Sequence, residues 1–325
     1  MTAPFDLVTI GRVGVDLYPL QSGVPLDEVT RFGRFLGGSA TNVAVAAARL
    51  GHRSAVITRT GADPFGRFVR TAVAGFGVDP RWVGVVDGLP TPVVFCELFP
   101  PDDFPLYFYR NPTAPDLEID AAELDLDAIA AARVFWTTLT GLSREPSRTA
   151  HLTALRARHR RDVDAVTVLD LDYRSMFWPD ESTARVAVEE ALPLVTVVVG
   201  NTEECRVGVG ESDPERAAEA LHAAGVRLAI IKQGPGGVLG SRRHDDGRIE
   251  QVVVPAVPVD VVNGLGAGDA FGGALVHGLL TGLDLSTTLT LANAAGSYVA
   301  ARLACADAMP TRAELEAHLA SGGGR

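Results

Sequence analysis

Lysine is almost missing from this chain: of its 29 Lys and Arg residues, only Lys232 is a lysine. A Walker A loop needs Gly-Lys-Ser/Thr, with the lysine reaching the β- and γ-phosphates. Lys232 stands in IIKQGPGG, between an isoleucine and a glutamine, so a Walker-type nucleotide site is excluded. Cysteine is scarce as well. Cys96, Cys205 and Cys305 are odd in number and far apart, giving neither a disulfide framework nor a CxxC metal pair. Positive charge is in deficit: the net charge of −11 argues against a nucleic-acid surface as the main partner. No apolar run approaches about 18 residues, so no membrane span is expected. The start MTAPFDLVTIG lacks a basic segment leading into a long apolar stretch, and no signal peptide is expected. A reducing cytoplasm is the expected compartment.

What the chain has is regular alternation. With 325 residues, 47% of them hydrophobic, it can bury a large core in one α/β domain or two smaller ones. DLVTIG, SAVITRTG, RVFWTTL, AVTVLDLD, LVTVVVGN and VRLAIIKQG read as strands. Helical patterns such as ATNVAVAAARLG, PFGRFVRTAVAGFG and DPERAAEALHAAG lie between them. Strands alternating with helices predict right-handed crossovers and an α/β fold whose mainly parallel central sheet is covered on both faces. Two segments break the rhythm. Residues 12–35 and 91–112 are strand-like and aromatic, and predict a small antiparallel flap, either a peripheral decoration or a lid over a site. The core is then 1–11, 36–90 and 113–320, with a disordered tail at 321–325.

The densest chemical signal is NGLGAGDAF at Asn263–Phe271. It fails as a dinucleotide fingerprint, because the third glycine of GxGxxG would fall on Asp269. Gly266, Ala267 and Gly268 instead lead into the helical pattern DAFGGALVHGLL. Amides at a helix N-terminus bind anions through their unpaired donors and the helix dipole. Asp269 could be an ordinary N-cap, but beside such a hole it suits a general base that takes a proton from a hydroxyl. GNTEE puts Asn201 and Glu204 at the end of a buried strand, where ligands of open α/β sheets bind, or simply at a helix cap. Arg110 ends LYFYR and Arg174 sits in DLDYRSMFW. Each could pair with a nearby acid, Asp170 or Asp172 for Arg174, and each could fork onto a ligand carboxylate.

Taken together, GRVGVDLY, LGGSATNVA, GNTEE, KQGPGG and GLGAGD resemble the ribokinase-like, or PfkB, sugar kinases over nearly the whole chain. The resemblance implies a three-layer α/β/α fold with a β lid, ATP and Mg²⁺ as cofactors, and a sugar as substrate. It implies Asp269 as catalytic base and Gly266, Ala267 and Gly268 as anion hole. Asp16, Gly37, Gly38, Asn42, Arg110 and Arg174 would hold the substrate. Asn201, Lys232, Gly234, Gly236, Gly237, Asn263 and Asn293 would lie toward the nucleotide, and Glu204 toward Mg²⁺, through water. An ordinary surface role remains open for Lys232 and Asn293. FPLYFYRNPTAPDLEI, DLDYRSMFW and RLACADAMPTRAEL are similar to a subgroup that acts on a sugar acid of inositol breakdown. The family at large has Asp-Thr-Thr where Asn263, Gly264 and Leu265 stand here, which leaves a K⁺ site built on that Asp without its carboxylate. Ser175 replaces the subgroup's proline. Kinases of 2-keto-3-deoxygluconate or another hexose share Asp16, Asn42 and a lid arginine, and a non-catalytic sugar-acid sensor is the reading from another class. A homodimer through the lid is a further expectation.

Overall fold

The computed structural model describes residues 4–322. The chain opens with β1 (Leu7–Ile10), whose four residues are all buried, as a strand covered on both faces requires. Two strands of a separate sheet follow, β2 (Gly14–Pro19) and β3 (Phe32–Gly37), and then α1 (Ser39–Arg49) and β4 (Ser54–Gly61). After α2 (Pro64–Gly75) and β5 (Val83–Val86), the chain returns to the separate sheet with β6 (Val93–Cys96) and β7 (Leu106–Tyr109). Strict alternation then resumes through α3 (Leu126–Ala131), β8 (Val134–Thr138), α4 (Ser147–Arg161), β9 (Val166–Asp170), α5 (Glu181–Ala191) and β10 (Val197–Asn201). Helices α6 (Thr202–Val209) and α7 (Pro214–Ala223) precede β11 (Leu228–Lys232), β12 (Val238–Arg243) and β13 (Ile249–Val254). Three helices end the chain: α8 (Ala267–Thr281), α9 (Leu285–Ala300) and α10 (Arg312–Ala320).

Nine strands form the main sheet in the order β13-β12-β11-β10-β9-β8-β1-β4-β5. All neighbours run parallel except β11–β12 and β12–β13, a hairpin extension at one edge. One face packs on α1, α8 and α9 through residues such as Val43, Phe271 and Leu289, and the other on α4 to α7 through Leu155, Val188, Cys205 and Leu221. Side chains of Asp63, Asp125, Asp180, Asp213 and Asp284 accept amide hydrogens at the starts of five helices. Each such cap contributes about 1 kcal/mol. Helix α8 lies very close to α1: a Cβ on Gly273 would fall 2.2 Å from the Ala46 side chain.

The small sheet has the order β3-β2-β6-β7. Here the expectation of an antiparallel flap needs correcting. β2–β3 and β6–β7 are antiparallel hairpins, but β2 and β6 pair in parallel, with Val15 opposite Val93. Both of these strands leave the core in the same direction, so joining the hairpins through them gives a mixed sheet. At the other end of the chain, Ser321 caps α10 with its amide bonded to the Ala317 carbonyl, and Gly322 follows in a turn. The rest of the expected tail, 323–325, lies outside the described residues. Among the described residues, no helix is long and apolar enough to cross a membrane.

Candidate active site

From β1 the chain builds outward to β4 and β5 on one side, and from β8 to β13 on the other. The strand order therefore reverses between β1 and β8. Open α/β sheets bind ligands outside the carboxyl ends of the strands at such a point. Arg12 follows β1, Thr140 follows β8, and Asp170, Asn201 and Lys232 end β9, β10 and β11. Two cavities meet there. One of about 220 Å³ is lined by Arg12, Asp16, Asn42, Asp172, Arg174 and Asp269, and by Leu106 and Phe108 of β7. The other, about 550 Å³, is more apolar and is lined by Gly237, Ala256, Val257, Phe271 and Asn293. Lys232, Gly264 and Gly268 belong to both, so the start of α8 forms the partition between them.

That start is built by backbone rather than side chain. Gly266 is the N-cap of α8 with φ 80°, a left-handed conformation that only glycine adopts without strain. A Cβ there would also lie 2.7 Å from the Cys305 sulfur. No protein group among the described residues accepts from the amides of Gly266, Ala267 or Gly268. These are the unpaired donors of a helix start, beside the positive end of the dipole. Asp269 is inside the first turn and its side chain caps nothing. Instead its Oδ2 accepts from Asn42 Nδ2 at 2.8 Å, tying α8 to α1. Burial pushes the Asp269 carboxyl up to about 7, against the opposing pull of the Asn42 bond, Arg12 and Lys232.

Around it lies a dense charge cluster. Asp170 is buried and its pKa is raised, first by burial and then by the neighbouring acids Asp172, Glu204 and Asp269, with Lys232 opposing. Burial alone would lower the pKa of Lys232, but Glu204, Asp170, Asp269 and Asp172 outweigh it and raise it. The ammonium lies 3.4 Å from where a Gly268 Cβ would be. Lys232 is half-buried and lines both cavities. Asn201 and Glu204 do form a reciprocal capping box on α6, at 2.8 and 2.7 Å, and they also line the smaller cavity.

The arginines are partnered. Arg110 bonds Asp116 with both terminal nitrogens, and the same carboxylate accepts from the Val13 amide at 3.0 Å. Arg174 reaches Asp172 at 2.9 Å and lies 3.9 Å from Glu204. Asp172 also takes Arg12 at 2.6 Å and the Ser39 hydroxyl at 2.7 Å. Its pKa falls despite burial, because the Arg12 and Arg174 charges prevail. Asp16 accepts from the Tyr18 hydroxyl at 2.6 Å, and burial pushes it up to about 6.

Some expected residues stand differently. Asn263 is fully buried and lines neither cavity. Its side chain donates to the Leu303 carbonyl and accepts from the Leu265 amide, so it shapes the loop before α8. Gly37 is also out of contact with the cavity; a Cβ there would strike the Asp16 carboxylate at 2.1 Å, so its role is room for Asp16. Gly38 does line the cavity, whereas Gly236 is exposed and lines neither, while Gly234, Pro235 and Gly237 of that turn line the larger one. Asn293 faces the larger cavity while its amide holds the Val254 and Pro255 carbonyls. Missed in the sequence were Arg12, Tyr18, Asp116 and Cys305. All four stand inside motifs quoted above: Arg12 and Tyr18 in GRVGVDLY, Asp116 in FPLYFYRNPTAPDLEI, Cys305 in RLACADAMPTRAEL. That membership was the signal available for them.

A cavity rich in carboxylates and an apolar neighbour, meeting at Lys232 and the glycine-built start of α8, suits transfer of an anionic group between two bound molecules. The fold and this site define a carbohydrate kinase. Residues 5–312 match the pfkB family of carbohydrate kinases, and the chain belongs to that family. A 5-dehydro-2-deoxygluconokinase of Bacillus anthracis is 31% identical over 322 residues, covering 97% of this chain and 95% of that protein. Among solved structures, a putative ribokinase II from E. coli in complex with ATP and Mg²⁺ superposes with a TM-score of 0.86 at 25% identity, covering 97% and 99% of the two chains. A fructokinase from Vibrio cholerae O395 with fructose, ADP and calcium gives 0.81 at 26% identity, covering 96% and 98%.

Proposed function

We propose that this chain transfers the γ-phosphoryl group of ATP to the primary hydroxyl of 5-dehydro-2-deoxy-D-gluconate, giving the 6-phosphate in myo-inositol breakdown. The observation that carries this is the position of Asp269, half-buried at the partition between a polar cavity that fits a sugar acid and an apolar one that fits an adenosine. The similarity to 5-dehydro-2-deoxygluconokinase over almost the whole chain supports the substrate.

In this reading the sugar hydroxyls meet Asp16 and Asn42, and the primary hydroxyl lies against Asp269. Asp269 takes the hydroxyl proton as the oxygen forms its bond to the γ-phosphorus, while the bond to the β–γ bridging oxygen breaks and ADP leaves. The amides of Gly266, Ala267 and Gly268 and the Lys232 ammonium face the charge spread over the moving phosphoryl oxygens. Glu204, with Asp170 beside it, offers hard oxygen donors suited to Mg²⁺, an ion that keeps several waters and is held by one or two carboxylates plus substrate phosphates. When bound, Mg²⁺ neutralises phosphate charge. The lid strands β6 and β7 close over the sugar and exclude water, which strengthens each of these charge interactions.

The test is ADP formation with this substrate, and its loss in Asp269→Asn while nucleotide still binds. Full activity in that variant would overturn the role given to Asp269. A second reading, a kinase of 2-keto-3-deoxygluconate or of a neutral hexose, draws on the likeness to the fructose-bound fructokinase. Comparing kcat/KM for the two keto-acids and fructose decides between them.

A further inference from the structure

We propose that Arg12, which the sequence motifs leave without a role, recognises the acid group of the substrate and is the main source of preference for acids over neutral sugars. This assignment rests on the sugar-acid reading above. Three arginines line the substrate cavity, and they are not equivalent. Arg110 spends both terminal nitrogens on Asp116. Arg174 gives one to Asp172 and one to the Tyr173 carbonyl, and its Nε is sealed in protein without a partner. Arg12 donates through Nε to Thr140 at 3.2 Å, and through one terminal nitrogen to Ser39 at 3.1 Å and Asp172 at 2.6 Å. Its other terminal nitrogen has no partner among the described residues, yet it is not among the atoms sealed by protein. The cavity is the space onto which Arg12 opens.

The surroundings fix this group and aim it. Arg12 follows closely on β1, a central strand, and its guanidinium carbon lies 5.8 and 5.7 Å from the ring centres of Phe108 and Phe177. These rings limit water on that wall while the three anchors hold the fork in one orientation. Asp172 is shared by Arg12 and Arg174, and Asp16 and Asp269 also interact with the Arg12 charge without bonding its open nitrogen. Glu204 is the next acid, 3.9 Å from Arg174, and it also faces Lys232. A carboxylate on the ligand gives the open nitrogen of Arg12 a charged acceptor. A neutral sugar leaves the nitrogen without a charged acceptor, and sites built for a polar group discriminate strongly against ligands that lack it.

The experiment measures kcat and KM of the full chain with ATP on 5-dehydro-2-deoxy-D-gluconate and on fructose, for wild type, Arg12→Gln and Arg12→Lys. Losing one charge-assisted hydrogen bond corresponds to about 10- to 100-fold. The acid-to-fructose ratio of kcat/KM should fall by that factor in Arg12→Gln, mainly through KM for the acid. Arg12→Lys keeps the charge beside Asp172 but loses the fork, so it should lower the ratio less. It also answers the question if Arg12→Gln does not fold. A ratio unchanged in both variants, or an equal loss on both substrates, makes Arg12 only a support for Asp172 and overturns the assignment. Wild-type protein that shows no preference for the acid overturns the sugar-acid reading itself, and the two failures are thereby told apart.

Discussion

Asp269 owes its chemistry to where it is held. Burial lifts its carboxyl from the ordinary value of 3.8 to about 7, so near neutrality it can both lose and regain a proton. Activity that needs the ionised form should rise with pH and level off above about 7, seen in a pH profile of kcat/KM. Asn42 bonds the carboxylate and favours its charged form, so Asn42→Ala should move that rise to higher pH. The same shift has a consequence for stability. A carboxyl whose folded pKa is raised binds its proton more tightly in the folded state, so its contribution is present at low pH and lost as pH rises from about 4 to 7. Asp269→Asn removes that loss. The variant should melt at a higher temperature than wild type at about pH 8, with little difference at about pH 4, while kcat falls about 10²- to 10⁴-fold.

At the scale of elements, the start of α8 and the lid decide the geometry. Gly266→Ala places a methyl against Cys305 and forces a non-glycine residue to φ 80°. It should cost about 1–3 kcal/mol of stability and lower kcat more than it alters KM, as thermal melting and steady-state kinetics would show. Asp116 ties Arg110, just past the end of β7, to the turn after β1. Asp116→Asn should weaken that tie and raise KM for the sugar, with nucleotide KM unchanged. Much of this level was legible beforehand. SAVITRTG is β4 residue for residue, because every position of that strand is buried and its composition is rich in β-branched residues. The backbone-built start of α8 at Gly266–Gly268 was legible for a similar reason: clustered glycines before an apolar helix mark a tight turn into it. Arg12 was not, since an arginine after a strand carries no sign of its partners 27, 128 and 160 residues away. Nor was the parallel pairing of β2 with β6, because Val15 and Val93 are distant in sequence and meet only through the fold.

At the scale of the whole molecule, the site exists because one sheet and one lid bring distant segments to a single edge. Five parallel strands deliver their carboxyl ends there, and the reversal of strand order between β1 and β8 opens the crevice. The small sheet is threaded from two separate stretches, 14–37 and 93–109, both of which leave the core and return to it. Lys232 shows why burial had to be seen rather than read. As the last residue of β11 it could have faced solvent, and only the packed sheet puts it among Glu204, Asp170 and Asp269. The pattern of alternating strands and helices was legible, but the charge balance of the cavity depends on which strand ends are neighbours.

The most direct measurement of the central claim is a panel of sugars and sugar acids incubated with ATP and Mg²⁺, read as ADP formation for wild type and Asp269→Asn. The highest kcat/KM is expected on 5-dehydro-2-deoxy-D-gluconate, with turnover lost in Asp269→Asn while ATP binding persists. Equal turnover of acids and neutral sugars, or an active Asp269→Asn, would contradict it.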